Sequence, residues 1–425
     1  MTKIKAGQAL AQVLVDWNID HIYGITADSI NNTVDGFYQE KDHLKYIQVR
    51  HEEVGALAAA ADAKLTGTIG VSFGSAGPGA VHLLNGLYDA KMDHVPVLAL
   101  VGQSATSIMN TNFFQEMNQD PIFADVAEFH KQVTTAEQIP YVVDEAIRSA
   151  YATRSVSVVI IPDDLSGQDI EFDGFKTASL SGSQQVLMPK SDDVQQTIAA
   201  LKAAQHPVLW IGKGAYNARQ EVIAVSEKFS LPVLSTAPAT GIMPTDHPNF
   251  MGSRGRLGTK PAFEVSQAAD LVLFVGTNFP FARYLPQGIK FIQVNNNLAD
   301  LGKQHDADIT VLADAKEFFQ ALLQSEVTIK PTKFLKAAQR DKQNWNRWLK
   351  TIATDDQGGL TAEGVLEAIK DNATDDAVFG LDVGNNTEWA IRQLPLNKQQ
   401  TFTMSAWYGT MGFGLPAGLA AQLNY

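Results

Sequence analysis

Short apolar runs alternate along this chain with segments whose apolar residues recur at helical spacing. The first helical segment is 6–17, where Leu10, Val13, Leu14 and Trp17 fall on one face. The apolar runs that we predict to be strands in the first part of the chain are 19–25, 46–49, 68–73, 95–101 and 156–161. Strands that alternate with helices indicate a parallel sheet covered on both faces, so the predicted fold class is α/β.

The alternation stops at 176–192, where small polar residues predict a linker, and then it resumes twice. The predicted strands of the second series are 207–211, 231–234, 271–275, 291–294 and 309–312. The third series has a predicted helix at 361–369 and a strand at 377–383. We therefore expect tandem open, doubly wound parallel-sheet domains at 1–175, 190–340 and 360–425, the last with too few elements to bury a core of its own.

Composition narrows the possible functions. The chain has 425 residues, a net charge of −13 and no cysteine. An acidic chain without a Lys/Arg cluster does not favour nucleic-acid binding, and the lack of cysteine excludes disulfides and thiolate zinc sites. No apolar run reaches the length of a membrane span, and the N-terminus has no signal-peptide pattern. We expect a cytoplasmic protein with neither nucleic-acid nor membrane partners.

Glu52 stands at a junction between two predicted elements. A β-prone run precedes it, and the segment from Ala56 to Lys64 contains six alanines, the best helix formers. We expect Glu52 where a buried strand turns into a helix, at the carboxyl edge of a parallel sheet, where such sheets bind ligands. The alternative is a helix-start glutamate that only satisfies free backbone amides.

Three glycine-rich loops follow predicted strands. The loop 74–79 carries glycines at 74, 77 and 79, a spacing that fits neither the dinucleotide fingerprint nor a P-loop. It is either a tight turn or a backbone that passes close to a ligand. Gly212-Lys213-Gly214 and Gly276-Thr277-Asn278 end strands of the second series, and two such turns at one sheet edge indicate a nucleotide crevice.

The segment 113–121, Phe-Phe-Gln-Glu-Met-Asn-Gln-Asp-Pro, shows little periodicity. One interpretation is a capping loop with both phenylalanines in the core. The other is a substrate-facing loop in which Gln115 donates hydrogen bonds. The nine histidines have no metal-ligand spacing, and no G-x-S-x-G supports serine-hydrolase chemistry.

Four motifs occur in the order found in thiamine diphosphate-dependent enzymes of the pyruvate oxidase and acetolactate synthase group. They are Arg50-His51-Glu52-Glu53, Gly77-Pro78-Gly79, Phe114-Gln115-Glu116-Met117-Asn118 and Gly409-Thr410-Met411-Gly412-Phe413-Gly414-Leu415-Pro416. The resemblance spans the whole chain. It is greatest to the acetyl-phosphate-forming pyruvate oxidases of lactic acid bacteria, to which the first and third motifs are more particular than to the synthases.

The resemblance implies a pyrimidine-binding, a central FAD-binding and a diphosphate-binding domain, with thiamine diphosphate, Mg²⁺ and FAD as cofactors. Glu52 would bond the aminopyrimidine ring and promote the tautomer that deprotonates the thiazolium carbon. Phe114 and Gln115 would line the reacting carbon, and Met411 would prop the cofactor in its bent form. The remaining residues at cofactor-binding positions are Gly77, Pro78 and Gly79 for thiamine diphosphate, and Gly212, Gly214, Thr236, Arg256, Gly276, Asn278 and Asp314 for FAD.

The chain departs from the family pattern in three places. Thr26-Ala27-Asp28-Ser29 replaces Pro-Gly-Gly-Ser and adds a carboxylate that would repel an anionic substrate. Asn295-Asn296-Asn297-Leu298 replaces Asp-Ile-Asp-Pro, although amides still bond ribose hydroxyls. The Gly-Asp-Gly…Asn motif for Mg²⁺ and the diphosphate would follow Tyr425. We assign no metal ligand, and expect a C-terminally truncated sequence that does not turn over alone.

The resemblance thus implies oxidative decarboxylation of pyruvate or another 2-oxo acid, with phosphate and O₂, to acetyl phosphate, CO₂ and H₂O₂. The alternatives are an acetolactate synthase-like carboligase and a non-catalytic paralogue. Because family members place the active site between subunits, the resemblance also implies a homodimer or homotetramer. The sequence leaves the identity of the 2-oxo acid open.

Overall fold

The computed structural model describes residues 2–175, 186–354, 359–394, 396–397 and 399–425. Within these ranges, no helix is both long and apolar enough to cross a membrane. Contacts divide the chain into two compact units. The first is Met1–Ser183 with Val378–Val383 and Phe402–Tyr425, and the second is Gln184–Ala377 with Gly384–Thr401.

Among the described residues, the first unit begins with fifteen α-helices and β-strands. In chain order they are β1 (Thr2–Lys5), α1 (Ala6–Asp16), β2 (His21–Gly24), α2 (Asn31–Gln39), β3 (Lys45–Gln48), α3 (Glu52–Thr66), β4 (Gly70–Gly74), α4 (Pro78–Met92), β5 (Val97–Gln103), α5 (Asp120–Phe123), β6 (Phe129–Gln132), α6 (Gln138–Thr153), β7 (Val156–Pro162), α7 (Asp163–Ser166) and β8 (Asp169–Phe172). Six parallel strands form the main sheet in the order β3-β2-β4-β5-β7-β6, and β1 pairs with β8 in a separate antiparallel ribbon.

Both faces of this sheet are buried. On β5, Leu98 and Leu100 pack with residues of α1 and α6, whereas Val97, Ala99 and Val101 pack with residues of α3 and α4. Side chains alternate between the faces of a strand, so a continuous apolar run fits a sheet that is covered on both sides. The strand order reverses between β2 and β4, and the crevice at such a reversal is where open α/β sheets bind ligands.

The second unit repeats this architecture. Its elements before residue 355 are α8 (Ser191–Ala203), β9 (Pro207–Ile211), α9 (Arg219–Lys228), β10 (Val233–Ser235), β11 (Phe250–Ser253), α10 (Lys260–Ala268), β12 (Leu271–Val275), β13 (Lys290–Asn295), β14 (Ile309–Leu312), α11 (Ala315–Leu323) and α12 (Lys333–Ala353). The six strands are parallel in the order β11-β10-β9-β12-β13-β14, which reverses between β9 and β12. One face packs on α8, α9 and α11, and the other on α10 and α12.

The last elements are α13 (Ala362–Asn372), β15 (Val378–Leu381), α14 (Asn385–Gln393), β16 (Thr401–Met404) and α15 (Gly414–Asn424). Within the first unit, Ala417 and Ala420 of α15 and Phe413, which precedes that helix, pack against Leu57 and Ala61 of α3. Small side chains on both helices allow this close approach, which places the residues just before α15 next to α3.

The α/β fold class with tandem parallel sheets is confirmed, while the domain boundaries 1–175, 190–340 and 360–425 stay a prediction. Of the predicted linker, 176–185 lie outside the described residues. One expectation was wrong: the strand before Glu52 is not buried. Because β3 lies at the edge of its sheet, its four residues are exposed or half-buried. The sequence also gave no signal for β1, β8, β6 and β11, which are short strands at sheet edges or in a ribbon.

Candidate active site

Glu52 is the first residue of α3. His51 precedes it in an extended conformation, and the His51 Nδ1 accepts a hydrogen bond from the backbone N–H of Glu53 at 3.3 Å. This N-cap fixes the start of the helix at Glu52. The Glu52 side chain is 12% exposed, so it is sheltered but not sealed off from a ligand.

Two histidines flank this carboxylate. His82, on α4, places its Nδ1 3.0 Å from the Glu52 Oε2, and its ring stacks on that of His51 with centroids 4.3 Å apart. One atom of each of the three side chains could ligate a metal ion, and these atoms lie within 4.8 Å of one another. Imidazole lone pairs lie in the ring plane, however, so two stacked rings direct them poorly toward one ion, and the His51 Nδ1 already serves as a cap. The cluster is better suited to holding and passing protons.

The glycine loop brings the backbone against Glu52. A Cβ on Gly79 would lie 2.4 Å from the Ser75 Oγ and 3.1 Å from the Glu52 Oε1, so a larger residue would have to displace the Ser75 side chain. Pro78 opens α4, a position that suits its fixed φ. The loop lies where the strand order reverses: Ala76 follows β4, Ser29 follows β2, and the Ser29 Oγ accepts a hydrogen bond from the Ala76 N–H at 2.8 Å. These contacts join parts of the protein itself, so they fit a tight turn, and the approach of this backbone to a ligand stays a prediction.

The segment 113–121 is a surface loop up to the start of α5. Phe113 and Phe114 are 49% and 77% exposed, so the interpretation that placed both phenylalanines in the core is wrong. Gln115 has a φ of 62° and its carbonyl faces Gly77. Backbone N–H groups of Asn110 and Phe113 donate to the Glu116 carboxylate and lower its pKa below the ordinary value. Glu116 therefore stabilises the conformation of the loop through hydrogen bonds to its backbone.

The segment before α15 also reaches α4. Asn85 donates from its Nδ2 both to the Glu53 carboxylate and, at 2.9 Å, to the Thr410 Oγ1. Met411 follows with a side chain that is 76% exposed. The Asp382 carboxylate accepts hydrogen bonds from the N–H groups of Gly412 and Gly414 at 2.9 and 3.3 Å. Asn85 thus ties the residue after Glu52 to the residue before Met411.

The glycine turns of the second unit also meet one another. The Gly212 N–H donates to the Val275 carbonyl at 2.8 Å, and the Gly214 N–H donates to the Gly276 carbonyl at 2.9 Å. A Cβ on Gly212 would lie 2.2 Å from the Thr277 Cβ, which enforces glycine at this contact. Both turns lie at the carboxyl ends of β9 and β12, between which the strand order reverses. This placement supports the predicted nucleotide crevice.

The other residues predicted to bind FAD differ in their availability. Thr236, at the end of β10, has a buried Oγ1 without a hydrogen-bond partner among the described residues. Arg256 is exposed. The Asn278 Nδ2 donates to Asp300 at 3.4 Å. The Asp314 carboxylate already accepts hydrogen bonds from the Leu187 N–H at 2.7 Å and from the Asn296 Nδ2 at 2.9 Å. Its contacts are therefore with the protein itself.

Sequence reasoning missed His82 and Asn85. They lie three residues apart on α4, so both can face α3. A polar pair at that spacing on a helix that follows a glycine loop was the available signal. It is weak by itself, because exposed helix faces carry many such pairs.

Three family models match the chain. They describe the N-terminal thiamine pyrophosphate binding domain over residues 4–122, the central domain of thiamine pyrophosphate enzymes over 194–322, and the C-terminal thiamine pyrophosphate binding domain over 382–425. The matches follow one another in the order that the four motifs predict. The chain belongs to the thiamine pyrophosphate enzyme family.

Curated relatives of this thiamine pyrophosphate enzyme span most of the chain. It is 45% identical to the pyruvate oxidase of Lactiplantibacillus plantarum over 430 residues, which cover 100% of this chain and 71% of that protein. It is 39% identical to a Bacillus subtilis protein named as thiamine pyrophosphate-containing, over 99% of this chain and 73% of that protein. It is 29% identical to the acetolactate synthase large subunit of Corynebacterium glutamicum, over 99% and 68%. The predicted resemblance to this group of enzymes is confirmed.

Proposed function

We propose that the protein is a pyruvate oxidase. The reaction joins pyruvate, hydrogen phosphate, O₂ and a proton and yields acetyl phosphate, CO₂ and H₂O₂, so the two electrons from the decarboxylated substrate reduce O₂. The observation that carries the proposal is the 45% identity to a pyruvate oxidase along the whole chain, against 29% to an acetolactate synthase. The Glu52 cluster supplies the group that such a reaction needs.

The residues around Glu52 fit thiamine diphosphate. A sheltered carboxylate that is still 12% exposed can accept a hydrogen bond from a protonated ring nitrogen of an aminopyrimidine. When bound, thiamine diphosphate supplies a carbanion that attacks the 2-oxo carbon. Glu52 would hold the proton that activates the cofactor, and His82 would orient the Glu52 carboxylate.

The proposal places the substrate near the exposed loop. Phe114 and Gln115 would border the 2-oxo acid, with the Gln115 amide as hydrogen-bond donor to its carboxylate or carbonyl. The exposed Met411 would support the cofactor from the other side. We extend the proposal to a homodimer or homotetramer with a small-molecule substrate.

FAD is the second cofactor of the proposal. The unpartnered Thr236 hydroxyl is a buried polar atom that a ligand could satisfy. At the same sheet edge, the backbones of Gly212, Gly214 and Gly276 pack closely together, and the nucleotide would lie beside these turns. Of the side-chain amides that follow β13, the Asn296 Oδ1 would accept a hydrogen bond from a ribose hydroxyl in place of a carboxylate. Mg²⁺ belongs to the proposal as the partner of the diphosphate, but we assign no residue of this chain to it.

The test uses the full-length protein loaded with thiamine diphosphate, Mg²⁺ and FAD. Under anaerobic conditions, we expect pyruvate to bleach the flavin absorbance, and in air with phosphate we expect equal amounts of acetyl phosphate and H₂O₂. A flavin that stays oxidised while acetolactate accumulates would show the carboligase instead.

The catalytic role of Glu52 has a matched control. Glu52→Gln keeps the size of the side chain but removes the charge, and we expect kcat to fall by about 100-fold or more. Glu317→Gln changes another glutamate in the first turn of a helix, α11, and should leave kcat unchanged. Wild-type activity that is negligible and insensitive to Glu52→Gln would favour the non-catalytic paralogue.

A further inference from the structure

A buried cation lies in the last turn of α3, the helix that begins with Glu52. Lys64 has a side chain that is 5% exposed, and its Nζ lies 2.6 Å from the Oδ2 of Asp89 and 2.6 Å from the Oδ2 of Asp93. It also donates to the Met404 carbonyl at 3.1 Å. Three acceptors match the three N–H bonds of an ammonium group, so Lys64 is fully used.

Asp93 continues this network to the backbone. Its two carboxylate oxygens accept hydrogen bonds from the N–H groups of Ala406 and Trp407, each at 3.2 Å. The ends of α3 and α4 therefore hold three successive backbone groups of the chain after β16. We call residues 404–413 the Met411 segment.

The remaining contacts run along the Met411 segment to Met411 itself. The Ser405 Oγ accepts from the Thr410 N–H at 3.0 Å, and the Thr410 Oγ1 donates to the Met411 carbonyl at 3.1 Å. Tyr408 stacks on Tyr88 of α4 with ring centroids 5.7 Å apart. The segment thus has a fixed course from the Lys64 network up to the point where Asn85 bonds Thr410.

The buried charges of this network can hold the backbone of the Met411 segment in place. Burial disfavours the charged form of Lys64, but Asp93 and Asp89 outweigh it and raise the pKa of the ammonium above its ordinary value. Asp89 is fully buried, and burial raises its pKa. Removing one member would leave an uncompensated buried charge. Apolar packing alone could hold two helices together, but hydrogen bonds to successive amides also fix the register of the attached segment.

We propose that Lys64, with Asp89 and Asp93, is a positioning group that fixes the Met411 segment so that Met411 supports the thiamine cofactor beside Glu52. The proposal rests on the proposed function, in that it takes Met411 as a cofactor support. It assigns no chemical step to Lys64, which reaches the cofactor only through the segment.

The test uses whole protein with thiamine diphosphate and Mg²⁺ as the probe. In Asp93→Ala, both amide contacts are lost, and we expect hydrogen exchange of peptides covering 404–413 to accelerate by about tenfold or more and the Kd for thiamine diphosphate to rise by a similar factor. Asp93→Asn keeps one acceptor oxygen, so it should recover part of both losses. Lys64→Met should act in the same direction as Asp93→Ala.

A matched control and the opposing outcomes complete the test. Lys131→Met removes an exposed lysine paired with Glu145 in the same unit and should change neither reading. Faster hydrogen exchange with an unchanged Kd for thiamine diphosphate would show that the network only stabilises the segment, and would overturn the positioning role. Unchanged exchange in Asp93→Ala would show that the network does not hold the segment at all. If Lys64→Met does not fold, the two Asp93 variants decide. Wild-type protein that binds no thiamine diphosphate would overturn the proposed function as well, whereas the other outcomes leave it standing.

Discussion

Gly77 and Gln115 face each other across two loops. A Cβ on Gly77 would lie 2.7 Å from the carbonyl oxygen of Gln115, and both residues have positive φ, 63° and 62°. The glycine is therefore required by the neighbouring loop as well as by its own turn. This contact joins two of the motifs that carry the family resemblance.

Gly77→Ala tests that contact. We expect a loss of stability greater than the 1–2 kcal/mol or so that positive φ alone costs, because the methyl group also displaces Gln115. Thiamine diphosphate affinity should fall in parallel. Gly67→Ala is the control, since Gly67 has a φ of 76° with nothing within 4 Å of the added Cβ. Chemical unfolding of both variants gives the comparison, and equal losses would rule out a role for the Gln115 contact.

Thr236→Val tests whether the Thr236 hydroxyl contacts FAD or only stabilises the fold. The Thr236 Oγ1 is buried without a partner, so replacing it by a methyl group should leave the stability of the FAD-free protein unchanged or raise it by up to about 1 kcal/mol. The Kd for FAD should rise by about tenfold, the effect of one lost hydrogen bond. Thr197→Val is the control: its Oγ1 donates to the Asp193 carbonyl at 2.8 Å, so the variant should lose stability and keep FAD affinity. Unchanged FAD affinity in Thr236→Val would remove this residue from the proposed site.

His21 should make stability depend on pH. Its Nδ1 and Nε2 lie 2.6 Å from Asp20 and 2.7 Å from Asp62. Burial opposes the charged ring, but the hydrogen bonds and charges of Asp62 and Asp20 outweigh it and raise the pKa of His21 above 6.5. The contribution is therefore fully present below pH 6.5 and is lost as the pH rises through the folded-state pKa.

Unfolding curves from pH 6 to pH 9 or so check this linkage. The stability difference between wild type and His21→Asn should be largest at the acid end and should shrink toward the alkaline end. His43→Asn, at an exposed histidine, is the control. A difference that stays constant across the range would contradict the charged state of His21.

Lys342 should make stability change with pH in the opposite direction to His21. Its Nζ donates to the carbonyls of Thr245 and Phe250, and burial lowers its pKa to about 8. Between about 8 and the ordinary 10.5, the unfolded chain binds the proton more tightly, so stability rises with pH in this window. The gain relative to Lys342→Met should approach about 3 kcal/mol. Lys350→Met, at an exposed position of the same helix, should show no such window, and a flat wild-type difference would contradict the buried charge.

Much of the architecture was readable from the apolar pattern. The predicted strands 207–211, 271–275 and 309–312 coincide with β9, β12 and β14. Of these, β9 and β12 are buried throughout, and buried parallel strands are continuous β-branched and leucine runs, whereas β14 lies at the sheet edge and is partly exposed. The motifs around Glu52, Gly77, Gln115 and Met411 likewise indicated the family, because their residue types and order are local properties of the chain.

The tertiary structure decided what depends on long-range partners. Whether the strand before Glu52 is central or at the edge follows from sheet order, and the exposure of Phe113 and Phe114 depends on how the elements around their loop pack. The Asn85 bond to Thr410 joins residues 325 positions apart, and the Lys64 bond to Met404 joins residues 340 apart. A local pattern fixes which segments are helices and strands. It does not fix which distant polar groups meet, because their pairing is set by the packing of the elements that carry them.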